Sequence, residues 1–164
     1  MKSVKRILCP IDFSDASVTA MQAALDLTEI YSAEIILFHA VSEIDPMPIP
    51  SVVLAPPLQN QLPVFMEQMK ANALKGLRAL IKTQVAGRAP AWAKVAIGRP
   101  ADSIVRVSGQ ENADLIVIST HGTSGLKGLL MGSVTEKVVR IAKIPVLTLP
   151  CENICPQTSW LSRS

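Results

Sequence analysis

A chain of 164 residues with 49% hydrophobic content can bury one substantial core, and two domains would be crowded. A net charge of +3 from scattered lysines and arginines, with 4% aromatic residues, gives neither a basic block nor a base-stacking surface, which argues against nucleic acid as the main partner. No stretch approaches the length of an apolar membrane span.

The N-terminal run MKSVKRILCPIDFSD is basic and briefly apolar, but Asp12 and Asp15 interrupt it before a signal-peptide core is complete. Cys9, Cys151 and Cys155 are an odd number of thiols without an export signal, so the expected compartment is a reducing cytoplasm. Cys151 and Cys155 are spaced like half a metal site. No second pair or nearby histidine completes four ligands, and no metal ligand is assigned.

Arg6 to Ile11 (RILCPI) reads as a first strand, with Pro10 near its end, where a lost ladder bond matters least. Ser14 or Asp15 can cap the helix that follows, with Val18, Met21, Leu25 and Thr28 at helical spacing to about Tyr31. Glu34 to Val41 (EIILFHAV) is apolar throughout, the pattern of a parallel strand covered on both faces. His39 within it reads as a packed or hydrogen-bonded histidine, because no nucleophile or acid accompanies it in sequence.

Between residues 42 and 63, Pro46, Pro48, Pro50, Pro56, Pro57 and Pro63 predict a long irregular loop: a lid, a partner surface or an insertion. From about Val64 to Val85, apolar residues from Phe65, Met66 and Met69 through Ala73, Leu77 and Ile81 recur at helical steps. They predict one amphipathic helix whose stripe faces the core. Gly87 and Pro90 end it. Ala91 to Ile97 (AWAKVAI) alternates as an edge strand with one wetter face does, and Gly98-Arg99-Pro100 turns into a helix reaching about Gln110.

Leu115 to Ser119 reads as a buried strand. A loop bearing Gly122, Gly125 and Gly128 follows, then a helix opening at Gly132-Ser133, where Ser133 and Glu136 fit a capping box. Amides at such a helix start, with the positive end of its dipole, suit an anion; the other reading is a surface turn and an ordinary helix start. Val146 to Leu149, between Pro145 and Pro150, is the last strand, and residues 151–164 form a polar tail.

Five strands alternating with four helices over residues 1–150 predict a single α/β domain, a doubly wound, open parallel sheet. Ligands in such sheets bind beyond the carboxyl ends of the strands, where strand order reverses. Asp12 could accept hydrogen bonds from ribose hydroxyls or an adenine amine while loop and helix amides serve phosphates; alternatively it caps the first helix. Neither a P-loop, a dinucleotide fingerprint nor a Gly-x-Ser-x-Gly elbow occurs. His121 could polarise a γ-phosphate or be merely positional.

Residues 119–133 resemble the nucleotide-binding signature of the universal stress protein family, Gly-x2-Gly-x9-Gly-Ser/Thr. Gly122 is followed by nine residues and Gly132-Ser133, with Ser119 standing where the family has its first glycine. The Pro-x-Asp-x-Ser ending of the first strand and Gly98-Arg99-Pro100 are similar to the family's too, so the resemblance spans about residues 3–150.

The resemblance implies strand order 3-2-1-4-5 with helices on both faces. It implies an ATP (or ADP or AMP) site: Pro10, Ile11 and Asp12 near base and sugar, the Ala40 backbone beside adenine, and Ile118 and Ser119 under ribose and phosphates. Gly122, Gly132, Ser133 and Val134 would surround the phosphate chain, whose Mg2+ or Mn2+ would be held mainly by phosphate and water. It also implies a homodimer through Val146 to Leu149, signalling to an unidentified protein partner. Three functions stay open: a cytoplasmic ATP-binding stress-response regulator; a slow ATPase, for which no general base or arginine finger can be placed; and a nucleotide-free interaction module, to which Ser119 points.

Overall fold

The computed structural model describes residues 3–42, 56–120 and 131–150, with the backbone alone for residues 56–60. The elements are β1 (Arg6–Pro10), α1 (Asp15–Tyr31), β2 (Glu34–Val41), α2 (Pro56–Leu80, closed by a π-helical turn over Ile81–Val85), β3 (Ala91–Ile97), α3 (Pro100–Gln110), β4 (Leu115–Ser119), α4 (Ser133–Ile141) and β5 (Val146–Leu149). All neighbouring strands are parallel, in the order β3-β2-β1-β4-β5, as the βα alternation and the family resemblance lead one to expect.

Strand alternation divides the core between two faces. Ile7, Cys9, Ile35, Leu37 and Val117 pack with Met21, Ala24 and Leu25 of α1 and with Leu77 of α2. Leu8, Ile36, Phe38, Ile116 and Ile118 pack with Ala101, Ile104 and Val107 of α3 and Val138 of α4. β1 lies at the centre, and three of its side chains are fully buried. One of them, Cys9, is pushed by burial from its ordinary 9.0 up to about 12.

A thiol held neutral in the fold titrates first in the unfolded chain. The native state therefore retains a proton that the unfolded chain loses, and stability should fall as pH rises from about 9 towards about 12. In a Cys151→Ser/Cys155→Ser protein, where Cys9 is the sole thiol, thiol-reagent titration at pH 8 should show no labelling until denaturant is added. Labelling at the rate of a free thiol would refute the buried position.

Helix α1 starts at Asp15 because Ser14, in extended conformation, caps it: the Ser14 side chain accepts from the Ser17 amide. Ser14→Ala should cost about 1 kcal/mol, read as a lower urea midpoint at unchanged m-value. Helix α3 carries Pro100 in its first turn, after Arg99 as N-cap. The turn before it needs glycine, since Gly98 has φ +147° and an added Cβ would lie 2.8 Å from Ser103 Oγ.

Two expectations fail at α2. The helix begins at Pro56, eight residues before the predicted start at Val64, so residues 56–63 are helical and not loop; residues 43–55 of the expected loop lie outside the described residues. Pro56 and Pro57 fit because first-turn amides have no acceptor within the helix. Pro63 lies inside and deletes one rung of the ladder without ending it. The second failure concerns the stripe: Ala73 and Leu77 are buried as predicted, but Phe65 is 51% and Met69 43% exposed. The expected tail at 151–164 lies outside the described residues.

Candidate functional site

The opening between β1 and β4 follows from one residue. The Lys5 carbonyl accepts from Glu34 and the Ile11 amide donates to Phe38, whereas the Arg6 carbonyl accepts from Asp114. Odd positions of β1 thus face β2, and even positions face β4. Pro10 faces β4 with no N–H to give. Pairing of β1 with β4 ends at Leu8 and Ile116, while pairing with β2 continues to Pro10 and Phe38.

Beyond that point lies a cleft of about 950 Å³ at the carboxyl ends of the strands, where the strand order reverses. Pro10 lines it from the end of β1 and Ile11 and Asp12 from the residues just after, Ala40 from β2, Ile118 and Ser119 from β4, and Gly132, Ser133 and Val134 from the start of α4. These are the residues singled out from the sequence, with the exception of Gly122, which lies outside the described residues together with Gly125, Gly128 and His121.

The carboxylate of Asp12 does not cap α1, which Ser14 does. Asp12 Oδ1 instead accepts from the Ser14 amide at 3.0 Å and from the Ser14 hydroxyl. An Asx-type turn of this kind fixes the carboxylate at the cleft wall while Ser14 serves the helix.

On the opposite wall the chain is pinned twice. The Gly132 amide donates to the Thr120 carbonyl at 2.6 Å, and Thr135 Oγ1 donates to the Ser119 carbonyl at 2.8 Å. Gly132 is the N-cap of α4, with φ −69° and ψ 152°, and has no side chain to cap with. The expected capping box is therefore not formed. Ser133 is already the first helical residue, and the Glu136 carboxylate reaches forward to Arg140 instead of back to the N-cap amide. What the start of α4 presents to the cleft is backbone, and its first-turn amides lack acceptors within the helix.

Gly132 also answers a steric demand, because a Cβ there would stand 3.2 Å from the Thr120 carbonyl oxygen. Ser119 makes no such demand. It is the last residue of β4, in register with Leu149, and extended backbone accepts a Cβ freely. Among the described lining residues there is no lysine or arginine, so an anion would be met by amides and the helix dipole. No cluster of three metal-ligating side chains occurs among the described residues.

The remaining wall was not legible from the sequence. Phe65, Met66, Met69, Asn72 and Ala73 of α2 line the cleft, so the outer part of the helical stripe faces the cleft and not the core. Phe13 and His39 also line it. Phe13 has φ 64°, a strained value for a residue with a Cβ, and its ring centroid lies 5.0 Å from that of His39. His39 Nδ1 lies 2.7 Å from the Ile11 carbonyl oxygen, which bears out a hydrogen-bonded histidine and adds that its ring belongs to the cleft.

A sequence model described as the Universal stress protein family matches residues 3–150. Universal stress protein MJ0531 of Methanocaldococcus jannaschii is 30% identical over 145 residues, 88% of this chain and 81% of the relative. The solved structure of MJ0577 aligns with TM-score 0.77 at 26% identity, covering 91% of this chain and 97% of that one. The same fold is found in a universal stress protein in complex with cAMP (TM-score 0.60, 23% identity, covering 91% and 98%) and in an Arabidopsis thaliana family member with AMP bound (TM-score 0.57, 16% identity, covering 89% and 91%). The match over residues 3–150 and the 30% identical relative place the chain: it belongs to the universal stress protein family.

Proposed function

We propose that the chain binds an adenine nucleotide in this cleft and acts through the bound state instead of through turnover. The observation that carries the reading is the meeting of Asp12, at the end of β1, with the first turn of α4 on one cleft across the strand-order reversal. Their chemistries divide as a nucleotide does: a carboxylate accepts from ribose hydroxyls, and backbone amides donate to phosphate oxygens. Pro10, Ile11 and Ala40 would flank the base and sugar, Ile118 and Ser119 the ribose and phosphates, and Gly122, Gly132, Ser133 and Val134 the phosphates. The two family members solved with AMP and cAMP support the ligand class.

In this reading ATP, ADP or AMP is the ligand, with Mg2+ or Mn2+ coordinated by phosphates and water when ATP is bound. The protein works in the cytoplasm as a stress-response regulator. Its last strand, β5, is a sheet edge with Leu147 exposed, and Val139 and Ile141 of α4 are exposed as well, which suits a two-fold pairing of protomers through Val146 to Leu149.

Mass spectrometry of the protein purified under native conditions should reveal a carried adenine nucleotide. Titration calorimetry of nucleotide-stripped protein should give one site per chain for ATP, ADP or AMP. A protein that binds none of the three at millimolar concentration is no nucleotide sensor. Turnover well below one per minute alongside tight binding would separate a binding output from an ATPase.

A further inference from the structure

Four residues other than glycine have positive φ among the described residues: Phe13, Ser32, Ala86 and Asn112. Ser32 is the C-cap of α1, Ala86 closes the π-helical turn of α2, and Asn112 follows Glu111, the C-cap of α3. A single left-handed residue is an ordinary way to end a helix. Phe13 ends none. It lies between β1 and α1, and a left-handed phenylalanine persists only where its surroundings over-determine it. Here they do so through the ring, whose edge sits so close to Gly76 of α2 that a Cβ there would stand 2.9 Å from Phe13 Cε1 and 3.1 Å from Cζ. Its centroid lies 5.0 Å from that of His39, which is itself tied to the Ile11 carbonyl. Glycine is a poor residue for a helix interior, yet it stands beside Leu77, which is fully buried in the core, so the notch belongs to a part of α2 that is anchored to the sheet.

We propose that Phe13 is a positioning residue of the cleft and Gly76 the notch that seats it, the wedged ring holding the backbone so that Asp12 presents its carboxylate to the ribose hydroxyls of a bound nucleotide. This inference rests on the adenine-nucleotide reading above. The link runs through the turn: Asp12 and Ser14 flank Phe13, and Asp12 Oδ1 accepts from the Ser14 amide across it at 3.0 Å. The conformation of residue 13 therefore decides where the carboxylate stands on the cleft wall. A methyl at residue 76 displaces the ring from its seat. Residue 13 is then free to leave its costly left-handed conformation, and the carboxylate moves with it.

The test compares AMP with 2′,3′-dideoxy-AMP, which lacks both ribose hydroxyls, by calorimetry on proteins shown to be folded by circular dichroism. Wild type should prefer AMP by about tenfold or more, as hydrogen bonds to a carboxylate allow. In Gly76→Ala that preference should fall about threefold to fivefold, although alanine is the better helix former. Phe13→Gly permits the left-handed backbone without holding it and should show a similar fall. Adding Gly76→Ala to it should cost nothing further, because the clash needs both partners. A role in packing alone would weaken both nucleotides together and leave their ratio unchanged. That result, or a further fall in the double variant, overturns the inference and spares the nucleotide reading, as does equal binding of the two nucleotides by wild type. Failure of wild type to bind either nucleotide overturns both.

Discussion

A Gly132→Val protein is expected to lose adenine-nucleotide binding by roughly two orders of magnitude or more while remaining folded. The backbone at Gly132 is ordinary extended chain, which valine adopts without strain, so the fold has little reason to suffer. The cleft does. A Cβ stands 3.2 Å from the Thr120 carbonyl, and the valine methyls extend beyond it, so the first turn of α4 must swing from the position that the Gly132–Thr120 hydrogen bond sets. Displacing amides that would meet a phosphate forfeits charge-assisted hydrogen bonds of about 1.5–3 kcal/mol each, and two such losses give the stated factor. Gly132→Ala, with no methyls beyond the Cβ, should fall between valine and wild type. Calorimetric titration with ATP and a circular-dichroism spectrum are sufficient: an unchanged dissociation constant in a folded valine variant would remove α4 from the binding site.

The largest stability effect is expected from Phe38→Ala. Phe38 is 1% exposed, packs with Leu8, Ile36, Ala101, Ile104 and Ile118, and occupies the strand next to the sheet's centre. Its removal should cost about 3–5 kcal/mol, combining lost transfer energy with the cavity left behind. For a chain of this size that corresponds to a melting temperature lower by roughly 10 °C. The backbone bond from the Ile11 amide to the Phe38 carbonyl does not depend on the ring, so the β1–β2 ladder should persist. Thermal and urea unfolding would measure the change. A loss under about 1 kcal/mol would mean that the layer between the sheet and α3 is not packed as described.

Strands were the most legible part of the chain. β2, β3, β4 and β5 run between the residues the sequence suggested, because each is a short apolar or alternating run closed by proline, glycine or a polar turn. Helix ends were less legible where two signals compete. Ser133 and Glu136 have capping-box spacing, but the Thr120 carbonyl takes the Gly132 amide, and the cap shifts back by one residue. Prolines near 56 and 57 look like helix breakers in sequence and turn out to be helix starters, since the same missing N–H is harmless in a first turn.

The candidate site divides along a similar line. Asp12 and Gly132 could be named in advance because a carboxylate at a strand end and a glycine at a helix start are visible in sequence, whereas Ser119 was named only through the family resemblance. The α2 wall could not be named. Helical periodicity shows that Phe65, Met69 and Leu77 share one face, but only tertiary placement shows that Leu77 meets the sheet and Phe65 the open cleft. Phe13 and His39 were hidden for another reason: their pairing depends on a left-handed backbone at a residue with a side chain, which sequence rules disfavour.

The short β1–β4 ladder has a mechanical consequence. With registered pairs only at Ile7 with Leu115 and Leu8 with Ile116, the sheet is two rafts, β3-β2-β1 and β4-β5, lashed together at one end. Whatever lodges at the unlashed end touches both rafts and acts as a splint across the joint.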